Sequence, residues 1–267
     1  MQVTNFSFSA NIFKILVDST QKMLAIEIRN AEKKEVSFSV ISLENKIILL
    51  AETGLEEAWR VGLSAIENNK LLLHTYTDTR LPNRKGIYAI DIEKQEVIWE
   101  NQELRFEKLY FYDTESIVST IYSDQHIPKK VYISLETGKE IVIEDKNKLR
   151  ENQRIAQEPY FYTSSSEYFG IILEFMQKFA QNIAMIAFDY VEIENYFIIL
   201  AYCKQEKDEN LYDMHIWIFA SNGEKWAESK IAENLSEKEI GNRIFVFGKY
   251  LIILQKHTSI SLIDLPA

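Results

Sequence analysis

The stretch Gly86-Ile87-Tyr88-Ala89-Ile90-Asp91-Ile92-Glu93-Lys94-Gln95-Glu96-Val97-Ile98-Trp99 decides the fold, because its pattern is that of a strand, a tight turn and a second strand. Apolar and polar residues alternate from Ile87 to Ile92, and four polar residues follow as a turn. Val97-Ile98-Trp99 then resumes with β-branched and aromatic side chains, which favour a strand. The stretch therefore predicts a β-hairpin.

Related hairpins recur along the chain, at residues 40–48, 131–141 and 216–226, with a half copy at 259–265. Equivalent positions are separated by successive intervals of 49, 43, 86 and 44 residues; these positions are Ser42, Asp91, Ser134, Ala220 and Asp264. A strand repeat of roughly 40 to 50 residues is typical of the blades of a β-propeller. The doubled interval indicates that one blade is missing, degenerate or replaced by an insertion.

The predicted fold class is all-β: a β-propeller of about five four-stranded blades, built as one domain over residues 1–267 with an insertion at about 144–181. Six blades are the alternative, if the insertion supplies a complete sheet. Within it, Ser164 and Glu167 fit a capping box, and apolar residues at helical spacing predict a helix over Ser165 to Gln181. The same apolar residues also permit a buried strand over Tyr168 to Phe175.

The final repeat has three strand patterns, at 244–247, 250–255 and 259–265, and it lacks a fourth. The alternating stretch Val3 to Phe8 belongs to no other repeat. We therefore predict that this amino-terminal strand closes the ring by completing the last blade, because an open sheet edge favours aggregation.

Composition narrows the functional classes. The formal net charge of −10 repels a phosphate backbone, so no nucleic-acid partner is expected. The first residues show no targeting segment, and no apolar run has membrane-spanning length, so we expect a cytoplasmic protein without a membrane partner. Cys203 stands alone, which excludes an internal disulfide and a cysteine-rich metal site.

The hairpin from Gly86 to Trp99 resembles the repeat of quinoprotein-like propellers, a class that includes enzymes, assembly factors and scaffolds. A narrower resemblance rests on Leu73-His74-Thr75-Tyr76 through Leu81-Pro82, followed by Lys85-Gly86-Ile87 to Trp99. These residues look like an uncharacterised family of Bacteroidetes proteins, a domain of unknown function. That resemblance implies the fold but no activity. Because the sequence has no calcium motif of the quinone-dependent enzymes, we expect no cofactor and no resident metal.

Three of the four histidines, His74, His126 and His257, fall at or near connections between the second and third strands of their repeats. Such connections emerge on one face of a propeller, so convergence on a ligand is one interpretation, and three separate surface or packed histidines are the other. His215 falls inside a strand pattern and is predicted to be packed. The polar connection Thr77 to Lys85 carries Arg80, Arg84 and Lys85, which could recognise an anion or form a solvated loop.

The elaborated connections, Thr77 to Lys85, Glu144 to Gln181 and Lys204 to Leu211, all belong by this assignment to the same face. Loops on one side of a rigid scaffold usually hold the binding groups. The sequence thus predicts a non-catalytic module that binds a protein or small molecule on that face. The alternative is an enzyme, a hydrolase or a lyase, with a polar site at the channel mouth. The candidate binding residues are His74, Tyr76, Arg80, Arg84 and His126.

Overall fold

The structure is a computed structural model that describes residues 3–18, 22–77, 83–122, 129–151, 156–181 and 183–265. These residues form two compact units. Described residues between Phe8 and Ile155 make up one unit, and those of Met1–Ser7 and Ala156–Ala267 make up the other. Both units consist of antiparallel sheets, so the predicted all-β class is confirmed.

The chain begins with β1 (Val3–Ser7), which belongs to the last sheet, and then forms the first sheet. That sheet is a meander of β2 (Asn11–Asp18), β3 (Met23–Asn30), β4 (Glu35–Ser42) and β5 (Ile47–Thr53). Each strand pairs with the next in sequence, because short turns connect antiparallel neighbours.

The second sheet repeats this order with β6 (Val61–Glu67), β7 (Lys70–Tyr76), β8 (Arg84–Asp91) and β9 (Glu96–Asn101). Strands β8 and β9 are the predicted hairpin. In the turn, Oδ1 of Asp91 accepts hydrogen bonds from the backbone N–H groups of Glu93 at 3.1 Å and Lys94 at 3.0 Å. The Asp91 carboxylate therefore fixes the turn that the sequence pattern predicted.

The third sheet contains β10 (Leu104–Tyr112), β11 (Glu115–Tyr122), β12 (Lys130–Ser134) and the two-residue β13 (Glu140–Ile141). A further two-residue strand, β14 (Arg150–Glu151), pairs with β10, on the side away from β11. This sheet thus has five strands in the order β13-β12-β11-β10-β14.

The fourth sheet begins with β15 (Tyr160–Thr163), which is followed by the helix α1 (Phe169–Gln177). Its remaining strands are β16 (Met185–Ile193), β17 (Tyr196–Lys204), β18 (Tyr212–Ala220) and β19 (Lys225–Leu235), paired in sequence order. Apolar side chains of α1 pack on one face of this sheet against Phe188, Ile199 and Phe219.

The predicted helix is present but shorter than expected. Its N-cap residue is Tyr168, which makes no side-chain capping bond, so the predicted capping box of Ser164 and Glu167 is wrong. Instead, the Thr163 N–H donates to Oγ of Ser166 at 2.9 Å, which makes a turn ahead of the helix. The alternative strand over residues 168–175 is wrong as well. The described residues of 144–181 form β14, β15 and α1, not a sheet of their own.

The fifth sheet consists of β20 (Ile244–Phe247), β21 (Tyr250–Lys256) and β22 (Ser259–Asp264), completed by β1. Val3 to Ser7 pair with Ile263 to Ser259 in antiparallel register. The prediction that the amino-terminal strand supplies the fourth strand of the last repeat is confirmed. Closure of a ring and a count of five blades stay predictions.

Buried apolar side chains lie between successive sheets of each unit. In one unit, a cluster that includes Phe38 and Leu63 joins the first and second sheets, and another that includes Ile87 and Leu109 joins the second and third. In the other unit, a cluster that includes Ile216 joins the fourth and fifth sheets. Face-to-face packing of consecutive sheets is what holds each unit together.

Candidate functional site

A β-bulge recurs in the first four sheets, in the pairs β2–β3, β6–β7, β10–β11 and β16–β17. In each case two paired residues enclose one additional residue on the earlier strand of the pair; these residues are Phe13, Ser64, Glu107 and Ile186. A bulge turns a side chain away from its regular alternation and is frequent beside functional sites. The repeat therefore places one redirected side chain at an equivalent position of each sheet.

Ser64, the bulge residue of the second sheet, contacts His74 of β7. Its Oγ lies 2.7 Å from Nδ1 of His74, whose residue surface is only 1% exposed. Nε2 of the same ring has no hydrogen-bond partner among the described residues. The ring is thus held at one nitrogen, with its second nitrogen buried.

Gly62 and Tyr76 enclose the other side of the imidazole. The Tyr76 ring meets it edge to face, with the ring centroids 4.7 Å apart. A Cβ atom at Gly62 would lie 2.8 Å from both Cε1 and Nε2 of His74, and 3.1 Å from the Tyr76 hydroxyl. Glycine is required at position 62, because a methyl group there would overlap the ring.

Burial, together with the positive charges of Arg84, Lys14 and Arg29, lowers the pKa of His74 to about 3. The imidazole is therefore neutral at physiological pH. His74, a predicted binding residue, is buried, and its role in binding stays a prediction.

Two of those cations fasten the first sheet to the second. Nη2 of Arg29 donates to the Val61 carbonyl at 2.7 Å, and Nζ of Lys14 donates to the Leu63 carbonyl at 2.8 Å. Glu27 pairs with Arg29 at 2.6 Å and accepts the Leu63 N–H at 2.7 Å. The side chains of Arg29 and Lys14 are therefore hydrogen-bonded to backbone carbonyls of the second sheet. Among the described residues, the Arg84 side chain makes no such bond.

Arg84 lines a cleft of 480 Å³ between the second and third sheets. We call it the Arg84–Arg105 cleft, and its lining residues are Asn83, Arg84, Arg105, Phe106, Glu107, Lys108, Tyr110 and Lys130. Arg84 begins β8, Arg105 and Lys108 lie on β10, and Lys130 begins β12. The cleft therefore draws its charges from three strands of two packed sheets.

Four cations and one carboxylate face this cleft, in a chain with 40 acidic and 30 basic residues. Lys130 is 3.4 Å from Glu107, and Lys108 is 2.7 Å from Glu151, which does not line the cleft. Among the described residues, Arg84 and Arg105 have no hydrogen bond or ion pair with a carboxylate. Two guanidinium groups are thus available to an anion from outside the chain.

The structure places the predicted site residues in different environments. Arg84 lies in strand β8 and not in a connection as expected, although it does line the cleft. Tyr76 is half-buried against His74. Arg80 and His126 lie outside the described residues. The sequence analysis did not select three further cations that line the cleft, Arg105, Lys108 and Lys130.

The convergence of His74, His126 and His257 stays an interpretation, because His126 lies outside the described residues. His74 is buried in one unit, whereas the side chain of His257, in the other unit, is 56% exposed. No group of three or more His, Cys, Asp or Glu side chains suited to a metal ion occurs within the described ranges.

A second cavity, of 640 Å³, lies on the fourth sheet and includes the predicted connection at Lys204. Asp213, His215, Lys230 and Cys203 line it, and Lys230 pairs with Asp213 at 2.8 Å. Burial lowers the pKa of His215, whose ring stacks on Trp217 at 5.6 Å. Burial raises the pKa of the Cys203 thiol to about 12, so that thiol is protonated and unreactive.

The fold and the cleft define an all-β protein of consecutive antiparallel sheets with a cationic groove between two of them. Residues 17–99 match a family described as Domain of unknown function (DUF4905). No curated protein matches the chain. No helix among the described residues is long and apolar enough to cross a membrane.

Several solved structures are similar to this chain at low identity. A eukaryotic initiation factor is 13% identical with a TM-score of 0.34, over 92% of this chain, which spans about half (49%) of that protein. A DUF4221 family member from Bacteroides vulgatus is 9% identical with a TM-score of 0.34, covering 99% and 96%. The β-propeller domain of the Trilobed protease from Pyrococcus furiosus is 13% identical with a TM-score of 0.32, covering 82% and 83%. We draw no functional conclusion from these likenesses.

Proposed function

We propose that the protein is a non-catalytic β-propeller module that binds an anionic partner, either a small molecule or an acidic protein segment, in the Arg84–Arg105 cleft. The observation that carries this proposal is a pair of arginines that have no acidic partner in the described part of the chain and that line a cleft of an acidic protein. Guanidinium groups bind carboxylates and phosphates through paired, charge-assisted hydrogen bonds.

The propeller part of the proposal is supported by the order of the sheets. Five antiparallel meanders follow one another, and the first strand of the chain completes the last sheet. That arrangement is how propellers protect their terminal edges. The described hairpins also keep the spacing of the sequence repeat.

The charge of the cleft supports an anion over other ligands. A protein with net charge −10 repels anions over most of its surface. The residues that line the cleft carry a local excess of three positive charges, which attracts anions to the cleft. Phe106 and Tyr110 add apolar surface beside the cations. A ligand with a carboxylate or phosphate next to an apolar part fits this lining.

In this proposal His74 supports the cleft from below and does not touch the ligand. Because its imidazole is neutral, it adds no charge beneath Arg84 and needs no counterion. Gly62 permits the ring to sit against the backbone of β6. The strand that begins with Arg84 therefore pairs with a strand whose buried imidazole carries no charge.

The proposal is tested by thermal unfolding with a panel of anions: citrate, inorganic phosphate and a hexaglutamate peptide, each compared with chloride at equal ionic strength. A ligand of the folded state raises the melting temperature by mass action, by a few degrees at concentrations well above Kd. We expect at least one of these anions to do so and an uncharged hexaserine peptide to have no effect. If no anion stabilises the protein relative to chloride, the proposal is wrong.

The cavity on the fourth sheet favours a second candidate function, an enzyme that acts as a hydrolase or a lyase. Asp213, His215 and Lys230 are titratable groups that converge on one cavity, as catalysis by general acids and bases requires. This function predicts turnover of activated esters or acidic sugars that is lost in the variant His215→Gln. If wild type and variant are equally inert, the cavity has no such catalytic role.

A further inference from the structure

Four tyrosines form a cluster beside the helix in the unit that contains the fourth sheet. Tyr162 is at its centre, with ring centroids 6.4 Å from Tyr160, 6.1 Å from Tyr168 and 6.4 Å from Tyr190. The rings of Tyr168 and Tyr190 are inclined to Tyr162 by 65° and 60°, while Tyr160 is nearly parallel to it. We call these four residues the tyrosine cluster.

The cluster is open to solvent. Tyr160 is 69% exposed and Tyr168 is 54% exposed, and Ile171 of α1 is also exposed. Large apolar groups scattered singly on a surface need no explanation, but contiguous aromatic surface marks an interaction site. An aromatic ring with a free face is a specific acceptor, because its face carries partial negative charge.

The surroundings of the cluster are acidic. Residues 156–178 include Glu158, Glu167 and Glu174 and one cation, Lys178, whose Nζ lies 5.9 Å from the ring of Phe175. The Tyr190 hydroxyl donates to Oε2 of Glu192 at 3.1 Å, which places a further carboxylate beside the rings. Ring faces and carboxylates together attract cations and repel anions.

Elsewhere in the described part of the chain, several aromatic rings lie close to the protein's own cations. The Arg29 guanidinium lies 4.5 Å from the Phe13 ring and 5.2 Å from the Trp59 ring, and Nζ of Lys130 lies 5.8 Å from the Tyr110 ring. No lysine or arginine of the described residues covers any ring of the tyrosine cluster in this way. The cluster therefore has the character of a cation site that the chain itself does not fill.

We propose that the tyrosine cluster binds a basic segment of a partner protein, whose arginine or lysine side chains lie over the rings of Tyr160 and Tyr168. The carboxylates of Glu167 and Glu192 supply the charge complement at the rim. The tyrosine cluster belongs to a different unit from the Arg84–Arg105 cleft and prefers ligands of the opposite charge. The two sites are therefore tested independently.

The experiment is a titration of the full chain with a fluorescent peptide of alternating arginine and serine residues. The key variant is Tyr160→Leu/Tyr168→Leu, which keeps apolar surface and net charge but removes both rings. The matched control is Tyr160→Phe/Tyr168→Phe, which keeps the rings. Two cation–π contacts at an exposed site correspond to an affinity loss of about five- to thirtyfold in the leucine variant.

We expect the phenylalanine variant to bind within about threefold of wild type, and the variant Arg84→Gln/Arg105→Gln to bind as wild type does. Melting temperatures of all variants check that they fold, which the exposure of both tyrosines favours. Equal affinity of the leucine variant and wild type would overturn the proposal, because the binding would then be general attraction to an acidic protein. Binding of a neutral oligosaccharide in place of the peptide would overturn it as well.

Discussion

Arg84 and Arg105 line the same cleft although they belong to different sheets, the first at the start of β8 and the second near the start of β10. Packing of the second sheet on the third brings them together, through buried residues such as Ile87 and Phe106. Neither guanidinium has a carboxylate partner among the described residues. The anion-binding proposal depends on this pair.

The low pKa of His74 predicts acid sensitivity. Its pKa is about 3 in the folded chain, compared with 6.5 as the ordinary value, so between these limits the unfolded chain binds more protons. Stability contributed by the neutral ring is therefore present above pH 6.5 and is lost as the pH falls toward 3. We expect acidification from pH 7 to 5 to lower the free energy of unfolding by about 1 to 2 kcal/mol through this group.

Urea unfolding of wild type and His74→Leu at a series of pH values measures this contribution. The variant should lose that part of the pH dependence, whatever its absolute stability. Ser164→Ala is the control, because it changes an exposed side chain and removes no titratable group. Parallel pH profiles for His74→Leu and wild type would show that His74 does not titrate in this way.

Gly62→Ala should destabilise the protein by about 1 to 3 kcal/mol, because the new methyl group would overlap Cε1 and Nε2 of His74. The penalty should shrink when His74 is also replaced with alanine, with a coupling energy of about 1 kcal/mol or more. Gly170→Ala is the control: no atom lies within 4 Å of its added Cβ, and alanine favours a helix. Additive effects of the Gly62 and His74 substitutions would contradict the proposed overlap.

Asp189 should be essential to the unit formed by the fourth and fifth sheets. Its buried carboxylate accepts the N–H groups of Asn242 at 2.8 Å and Arg243 at 2.7 Å, and the Tyr202 hydroxyl at 2.8 Å. Burial raises the pKa of Asp189, and these hydrogen bonds partly offset that rise. Asp189→Ala leaves three donors unsatisfied and should cost about 3 kcal/mol or more.

Tyr202→Phe removes only one of those donors and should cost about 1 to 2 kcal/mol in the same urea unfolding experiment. The exposed Asp208 provides a control, since its replacement with alanine should change stability by less than about 0.5 kcal/mol. If Asp189→Ala and Asp208→Ala unfold at the same urea concentration, the carboxylate does not hold these sheets together.

The amino-terminal strand should contribute strongly to stability. Val3 to Ser7 pair with β22, Phe6 is buried, and Oγ of Ser261 donates to Oδ1 of Asn5 at 2.6 Å. Deletion of residues 1–9 should lower the melting temperature substantially, because it exposes the edge of β22. Phe6→Ala, a milder change, should cost about 3 kcal/mol, whereas Phe13→Ala at an exposed ring should cost less than about 1 kcal/mol. An unchanged melting temperature after the deletion would show that the amino-terminal strand does not contribute to stability.

The hairpins could be predicted because alternation and turn residues are local signals. Asp91 caps its turn with its own side chain, and Val3 to Phe8 alternates clearly enough to be assigned as a spare strand. The spacing of apolar residues predicts the helix, but the predicted start at Ser165 is earlier than the observed start at Phe169. Ser166 bonds to Thr163 and makes a turn before the helix, a competition between local hydrogen bonds that sequence spacing does not resolve.

The cleft could not be predicted in the same way. Strand β10 begins at Leu104 and includes Arg105, which the sequence analysis did not select. The alternation Leu104-Arg105-Phe106 was the available signal, and the bulge at Glu107 interrupts it. Because a bulge shifts the alternation by one residue, the side chains that it redirects are hidden from a periodic reading.

The most direct test of the central claim is the dissociation constant of a fluorescent hexaglutamate peptide, measured for wild type and two double variants at fixed ionic strength. Arg84→Gln/Arg105→Gln removes the two guanidinium groups of the cleft, and Lys33→Gln/Lys94→Gln removes two charges from exposed turns of the same unit. We predict at least about tenfold weaker binding for the first and less than about twofold for the second. Equal weakening in both variants would contradict the account, because the peptide would then respond to net charge and not to the cleft.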